Sequence, residues 1–262
     1  MAFFDREPKL IPEMFTTLAG RNAWRRPRGP PRTLADGRDT SSPACRDGLT
    51  DLMGSTGRGV DFVTVDGGEG GTGAAPMIFA DSVAYPFRLG FAEVYRRFAA
   101  AGLSDDVVFI GAGKLGIPEN AVVAFALGVD MVNVGREAMM AIGCIQAQKC
   151  HTDHCPVGVA TQDPRYTRGL DVSLKSVRAA NYVRSLRRDL LKVSEAVGVV
   201  HPGLIAPRDV DFATGTRSTI GLAETYGYDP SWPRLGPDLV SELEAIMVGQ
   251  DATSHAVAEH RP

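Results

Sequence analysis

Apolar positions fall into two textures along the chain. From Arg21 to Arg38, six arginines accompany Pro27, Pro30 and Pro31 without any apolar periodicity. At Val60 the pattern changes. VDFVTVDG is a short β-branched run ending in glycine, which predicts a buried strand. An amphipathic helix is expected over Val83 to Ala101, with Phe87, Phe91, Val94, Tyr95 and Phe98 on one face. VVFIGAGKLG predicts a second strand, Val107 to Ile110, and a glycine-rich turn. A helix follows over Pro118 to Leu127, with proline at its first turn, where the missing N–H costs nothing. A third strand, Met131 to Val134, ends in Gly135 and Arg136. Further on, Val172 to Val197 reads as one long helix. Its apolar stripe of Val172, Val177, Val183, Leu186, Leu190, Val193 and Val197 is expected to be packing surface. Beyond Tyr228 the chain is polar and poorly patterned, with one short helix near Pro237 to Val248.

Strand, glycine loop and helix thus recur three times, with connections short enough for parallel βα units. Five glycines occupy the seven positions from Gly67 to Gly73. Backbone N–H groups in such a run can converge on an anion or a flat cofactor edge, although a merely flexible loop has the same composition. Gly111, Gly113 and Gly116 match the dinucleotide pattern G-x-G-x-x-G. The fit to NAD is poor, because Asp130 precedes the next strand and Asn133 lies within it, so no acidic residue stands at its end. Loops after two adjacent strands that together hold a phosphate are instead the arrangement of the last two strands of a (β/α)8 barrel. Ala112, Gly113 and Lys114 would form one wall of that cup and Gly135 and Arg136 the other, with both cations neutralising phosphate charge. The alternative for Lys114 and Arg136 is that they are solvated loop charges.

Composition narrows the class. The 262 residues are 44% hydrophobic and 23% charged, ordinary for a soluble globular chain, and a net charge of −3 marks no nucleic-acid partner. No run of about 18 apolar residues predicts a membrane span. The charged start MAFFDREPKL does not read as a signal peptide, so a cytoplasmic location is expected. Residues 1–56 are expected to be disordered or foreign to the domain, with Cys45 a free surface thiol, and a basic nucleic-acid-binding tail is the lesser alternative.

Of the four cysteines, Cys144, Cys150 and Cys155 fall within twelve positions, one short helix after Arg136. At ~1.5 Å rise per residue that helix keeps the phosphate cup and the thiols close together. Such crowding suggests one shared ligand. Zinc, completed by His151 or His154, would suit the residue types, but zinc ligands usually come as C-x2-C pairs. Iron–sulfur clusters tolerate looser thiolate spacings, and three thiols suit a three-iron cluster or a four-iron cluster with an outside ligand. Unliganded thiols remain the third reading.

GGEGGTGAAP, GAGKLG, MVNVGREAMMAIGC and above all CIQAQKCHTDHCPVGVATQDP resemble the FMN-binding domain of glutamate synthase, and more narrowly its single-domain relatives. The resemblance runs from about Gly57 to Pro207. It implies a (β/α)8 barrel carrying FMN at the C-terminal strand ends and a [3Fe-4S] cluster on Cys144, Cys150 and Cys155. Glu69, Gly70, Gly71, Thr72 and Gly73 would lie along the flavin, and Ala112, Gly113, Lys114, Gly135 and Arg136 around its phosphate. The implied chemistry is reductive amination of 2-oxoglutarate, with electrons passing from a donor protein or reductase through cluster and flavin to 2-iminoglutarate, giving L-glutamate. No catalytic residue is assigned, and His201 is expected to be structural.

Two departures qualify that expectation. Only three βα units precede the cysteines, matching the last three of eight, and residues 1–56 offer no counterpart to the earlier half. The expected organisation is therefore a foreign or disordered segment at 1–56, a partial barrel with its cysteine loop and long helix at 57–207, and a polar extension at 208–262. The start also lacks the N-terminal cysteine of a glutaminase domain, so ammonia would come free or from a partner. An inactive cluster- or zinc-binding module is the rival reading. A nucleotide-dehydrogenase-like barrel is weaker, since such enzymes use a single loop cysteine.

Overall fold

The computed structural model describes residues 43–70, 85–232 and 235–258. Helix α1 spans Pro43–Thr56 and lies within the segment expected to be unpatterned. Its Thr50 and Met53 are buried, and Leu49 packs against the main core. Strand β1 is Phe62–Asp66, followed after the undescribed stretch by helix α2, Phe87–Ala100. Strand β2 (Val108–Ala112), helix α3 (Pro118–Leu127), strand β3 (Met131–Asn133) and helix α4 (Arg136–Ala141) complete the repeating part.

The three strands pair in parallel in the order β1-β2-β3, as right-handed βα connections predict for consecutive units. Alternation decides which face is covered. Val63 and Val65 of β1 and Phe109 and Gly111 of β2 are buried, whereas Phe62, Thr64, Val108, Ile110 and Ala112 between them are half-buried. The buried face receives α2, whose Phe87, Phe91, Val94, Tyr95 and Phe98 form the expected stripe. Phe91 and Phe98 meet Phe109 edge-on at 6.0 and 5.4 Å between ring centroids. Burying each such ring contributes about 1.5–3 kcal/mol, so this aromatic seam anchors helix to sheet. Helix α3 is apolar almost all round and correspondingly sunk, ending in Gly128 at φ 111, the left-handed cap expected of a helix stop. The opposite sheet face is only partly covered. A mixed α/β architecture with a parallel sheet and helices results, compatible with part of a (β/α)8-type domain.

After the cysteine loop come the single-turn helix α5 (Pro164–Thr167) and helix α6, Val172–Val197, whose bounds agree with the expectation. Its stripe is only half used. Leu190 is buried and Leu186 and Val193 partly so, while Val172, Val177 and Val183 are exposed. Leu190 and Leu186 lie against Ala121 and Phe125 of α3, while the N-terminal half of α6 packs beside α4.

The C-terminal part is more integrated than a polar extension. Strands β4 (Asp211–Ala213) and β5 (Thr219–Gly221) form an antiparallel pair leading into helix α7, Leu222–Tyr226. Leu222 is fully buried, and Tyr228 stacks on Tyr95 while its hydroxyl donates to the Leu127 carbonyl at 2.6 Å. Helix α8 spans Pro237–Ala258. Among the described residues, no helix is long and apolar enough to cross a membrane.

Candidate functional site

The parallel register brings Asp66, Ala112 and Asn133 to one level at the C-terminal ends of the three strands. Spacing by two places all three on the half-covered sheet face. In parallel βα architectures this rim carries the chemistry. Asp66 and Asn133 are exposed there, flanking the small Ala112. Neither was singled out from sequence, though the period of two in VDFVTVDG and DMVNVG contains the signal. Partial desolvation at the base of the loop, and then the charge of Glu69, push the Asp66 carboxyl above its ordinary range.

The loop after β1 opens with a turn of 3-10 helix at Gly68–Gly70. Both carboxylate oxygens of Glu69 accept from the Phe87 N–H, at 2.9 and 2.8 Å. That N–H is the first of α2, so the acid satisfies an orphan donor and sits at the favourable end of the helix dipole. The side chain expected along a flavin is thus already engaged. Gly71, Thr72 and Gly73 lie outside the described residues.

The glycines of GAGKLG have a packing explanation. A Cβ on Gly111 would stand 2.8 Å from Phe87 Cζ, and one on Gly113 would stand 2.9 Å from Phe87 Cβ. At Gly116 it would meet Tyr182 Oη at 2.5 Å. The pattern that mimics a dinucleotide fingerprint therefore makes way for two aromatic side chains. Asp130 is likewise occupied, at the other end of the sheet, where its carboxylate accepts from Phe109 N–H at 2.7 Å.

Gly113 and Lys114 take φ of 139 and 54, which folds the loop tightly over the end of β2. The Lys114 carbonyl accepts from Asn120 Nδ2 at 2.8 Å, and Asn120 Oδ1 accepts from Arg88 at 3.2 Å. Beside this loop, Gly135 and Arg136 start α4 from the adjacent strand. A Cβ at Gly135 would meet nothing within 4 Å, so this wall faces open space. Neighbouring strands therefore set the Gly113–Lys114 and Gly135–Arg136 loops side by side.

Helix α4 runs into the cysteine loop, where Cys144 N–H donates to the Met139 carbonyl at 3.0 Å. Left-handed φ at Gln146, Gln148 and Asp153 coil the segment. Asp153 fastens it, since its carboxylate accepts from Gln162 N–H at 2.9 Å and its carbonyl from the Thr161 hydroxyl at 2.6 Å. Hydrogen bonds from Gln162 and Thr161 hold the Asp153 carboxyl below its usual range. Cys150 begins a 3-10 turn, and Cys155 is buried. Burial raises the Cys155 thiol pKa, but the N–H groups of Ala160, Val157, Val159 and Gly158 outweigh it and bring the thiol below its ordinary value.

A sulfur that receives several N–H donors is prepared for negative charge, as cluster thiolates are. The donor set thus fits an iron–sulfur group in kind. Among the described residues, no three His, Cys, Asp or Glu side chains are gathered as a metal-ion site, so neither the cluster nor the zinc arrangement is assembled. His151 and His154 are exposed. His201 is buried, and its Nδ1 accepts from Gly203 N–H at 3.1 Å, capping a 3-10 turn as a structural residue does.

Known proteins resemble this chain in sequence. The glutamate synthase large subunit-like protein YerD of Bacillus subtilis is 42% identical over 150 residues, 57% of this chain and 29% of that protein. The archaeal glutamate synthase (NADPH) of Methanocaldococcus jannaschii is 35% identical over 139 residues, 53% of this chain and 27% of that protein. The large chain of the Bacillus subtilis glutamate synthase (NADPH) is 38% identical over 104 residues, 40% of this chain and 7% of that protein. The chain spans less than a third of the length of these relatives. A family model described as the conserved region in glutamate synthase matches residues 45–200, more than half of the chain, and the chain belongs to that family.

Proposed function

We propose that this chain provides the last three βα units, the phosphate cup and the cysteine loop of a (β/α)8 glutamate synthase-type oxidoreductase. It would bind FMN and a [3Fe-4S] cluster and serve the reductive amination of 2-oxoglutarate, through 2-iminoglutarate, to L-glutamate. The observation that carries this reading is the succession at one rim. Two adjacent strand ends present Lys114 and Arg136, and a six-residue helix links the second of them to three cysteines.

In this reading Gly113, Lys114, Gly135 and Arg136 neutralise and orient the cofactor phosphate, and Ala112 leaves room between the strands. Glu69 to Gly73 border the ring system, with Glu69 fixing the entry of α2. Cys144, Cys150 and Cys155 are the thiolate donors, and the N–H groups around Cys155 stabilise its negative charge. When bound, the two cofactors supply electron transfer and a hydride, chemistry that no side chain provides. Asp66 and Asn133 stand where a substrate would approach, able to accept and donate hydrogen bonds respectively. An electron-donor protein or reductase and a source of ammonia complete the reaction. A cytoplasmic setting, which keeps thiols reduced, suits these donors.

The half-covered sheet face favours a second reading, a cluster- or zinc-binding module without flavin chemistry. Anaerobic reconstitution with FMN, iron and sulfide separates the two. Bound flavin absorbance together with a paramagnetic cluster signal is the expected result. Cluster or zinc without flavin supports the module, and retention of neither cofactor overturns both readings.

A further inference from the structure

Three segments meet at Gly116. Tyr182 Oη, from the middle of α6, donates to the Gly116 carbonyl at 2.5 Å across 66 positions of sequence. A Cβ on Gly116 would lie 2.5 Å from that oxygen and 2.7 Å from both Glu137 Cβ and Val134 Cγ1. Gly116 closes the loop that carries Gly113 and Lys114, while Val134 and Glu137 flank Gly135 and Arg136. The phenol therefore fastens the first wall of the cup to one long helix at the point where that wall packs against the second. Burial, and then the charge of Glu137, push the Tyr182 hydroxyl up to about 12, so it stays a donor through the neutral range. Tyr182 is half-buried, in the half of α6 where Val172, Val177 and Val183 are left exposed.

We propose that Tyr182 is a positioning residue for phosphate recognition, locking the β2–α3 and β3–α4 loops in the mutual arrangement that receives a cofactor phosphomonoester. This inference rests on the FMN reading above. It assigns the tyrosine to the phosphate alone, because its hydrogen bond reaches the backbone of the cup and no part of a ring site.

The test compares the full chain with Tyr182→Phe, which keeps the ring and removes the donor. In the free protein, amide hydrogen exchange over residues 112–118 and 134–137 should speed up about five- to tenfold, the loss expected for one hydrogen bond. Flavin-fluorescence titration should show FMN affinity falling by a similar factor, with riboflavin, which lacks the phosphate, unchanged. Gly116→Ala, which keeps the hydroxyl but crowds the junction, should give the same selective loss. Unchanged exchange in both loops overturns the inference, and so does an equal loss for FMN and riboflavin, which marks a merely structural residue. If the unmodified chain binds neither flavin, the FMN reading fails, and loop exchange alone then decides whether the clamp exists.

Discussion

His201 makes the stability of this fold depend on mild acid. Its imidazole is buried, accepts from Gly203 N–H, and lies near the Arg187 cation. Burial, and then Arg187, lower its pKa from 6.5 to about 4. Protonation would cost the ring its acceptor at Nδ1 and place a second cation beside Arg187. The unfolded chain binds this proton below about pH 6.5, whereas the folded chain resists it until about pH 4. Across that window the unfolded state holds more protons, so stability falls as pH falls. The gap of about 2.5 units, at 1.36 kcal/mol each, is worth about 3 kcal/mol. The contribution is complete above the unfolded value and is lost on descending to the folded one.

His201→Asn keeps a side-chain acceptor at the cap and removes the titration. Urea unfolding of both proteins at several pH values between 7.5 and 4 isolates the effect, because other groups titrate equally in both. The variant is expected to be about 1 kcal/mol less stable at neutral pH, from lost packing. Its deficit should vanish and reverse as pH approaches 4. A stability difference that stays constant to within about 0.5 kcal/mol over this range would refute a neutral, buried His201.

Other substitutions probe the rest of the framework. Phe91→Ala opens a cavity in the aromatic seam and should cost about 3–5 kcal/mol in urea unfolding, since Phe91 is fully buried between Phe87, Tyr95 and Phe109. Tyr228→Phe leaves the buried Leu127 carbonyl without its donor and should cost about 1–3 kcal/mol, with near-ultraviolet dichroism from the stacked rings retained. Gly128→Ala forces φ 111 on a residue with a Cβ that stands 2.5 Å from Tyr95, so a loss of at least about 2 kcal/mol is expected by the same assay. Cys155→Ala should abolish retained iron after reconstitution while leaving flavin absorbance in place. Unchanged iron content would remove Cys155 from the donor set.

The repeating βα part was legible because its signals are local. The β-branched run at Val63 to Val65, the proline at Pro118 and the aromatic spacing of Phe87, Phe91 and Phe98 each name an element without help from elsewhere. The Asp211–Ala213 and Thr219–Gly221 pair was missed because each strand has only three residues, too few for a visible period. The burial of Leu222 and Tyr228 depends on docking against α2 and α3, which the sequence there does not announce. At the rim, residue types suggested the charges, but what Glu69 and Gly113 touch was not readable. Their partner is Phe87, eighteen and twenty-six positions away, and only the fold brings it in. The stripe on α6 was over-read for the converse reason. Periodicity reports which side of a helix can be buried, and only the elements packed beside it decide which of those positions are covered.

Phe87 links matters that are usually separable. Its ring lies against Gly111 and Gly113, and its N–H is held by Glu69, so one residue belongs both to the hydrophobic core and to the C-terminal rim of the sheet. The loop from Gly111 to Gly116 is consequently shaped by the core itself, and a ligand meeting it need not spend free energy on ordering that backbone. The same arrangement gives the site a thermal weakness. Any softening of the seam that lets the Phe87 ring swing widens the cup, so affinity at the rim should decline at temperatures where most of the helix is still intact.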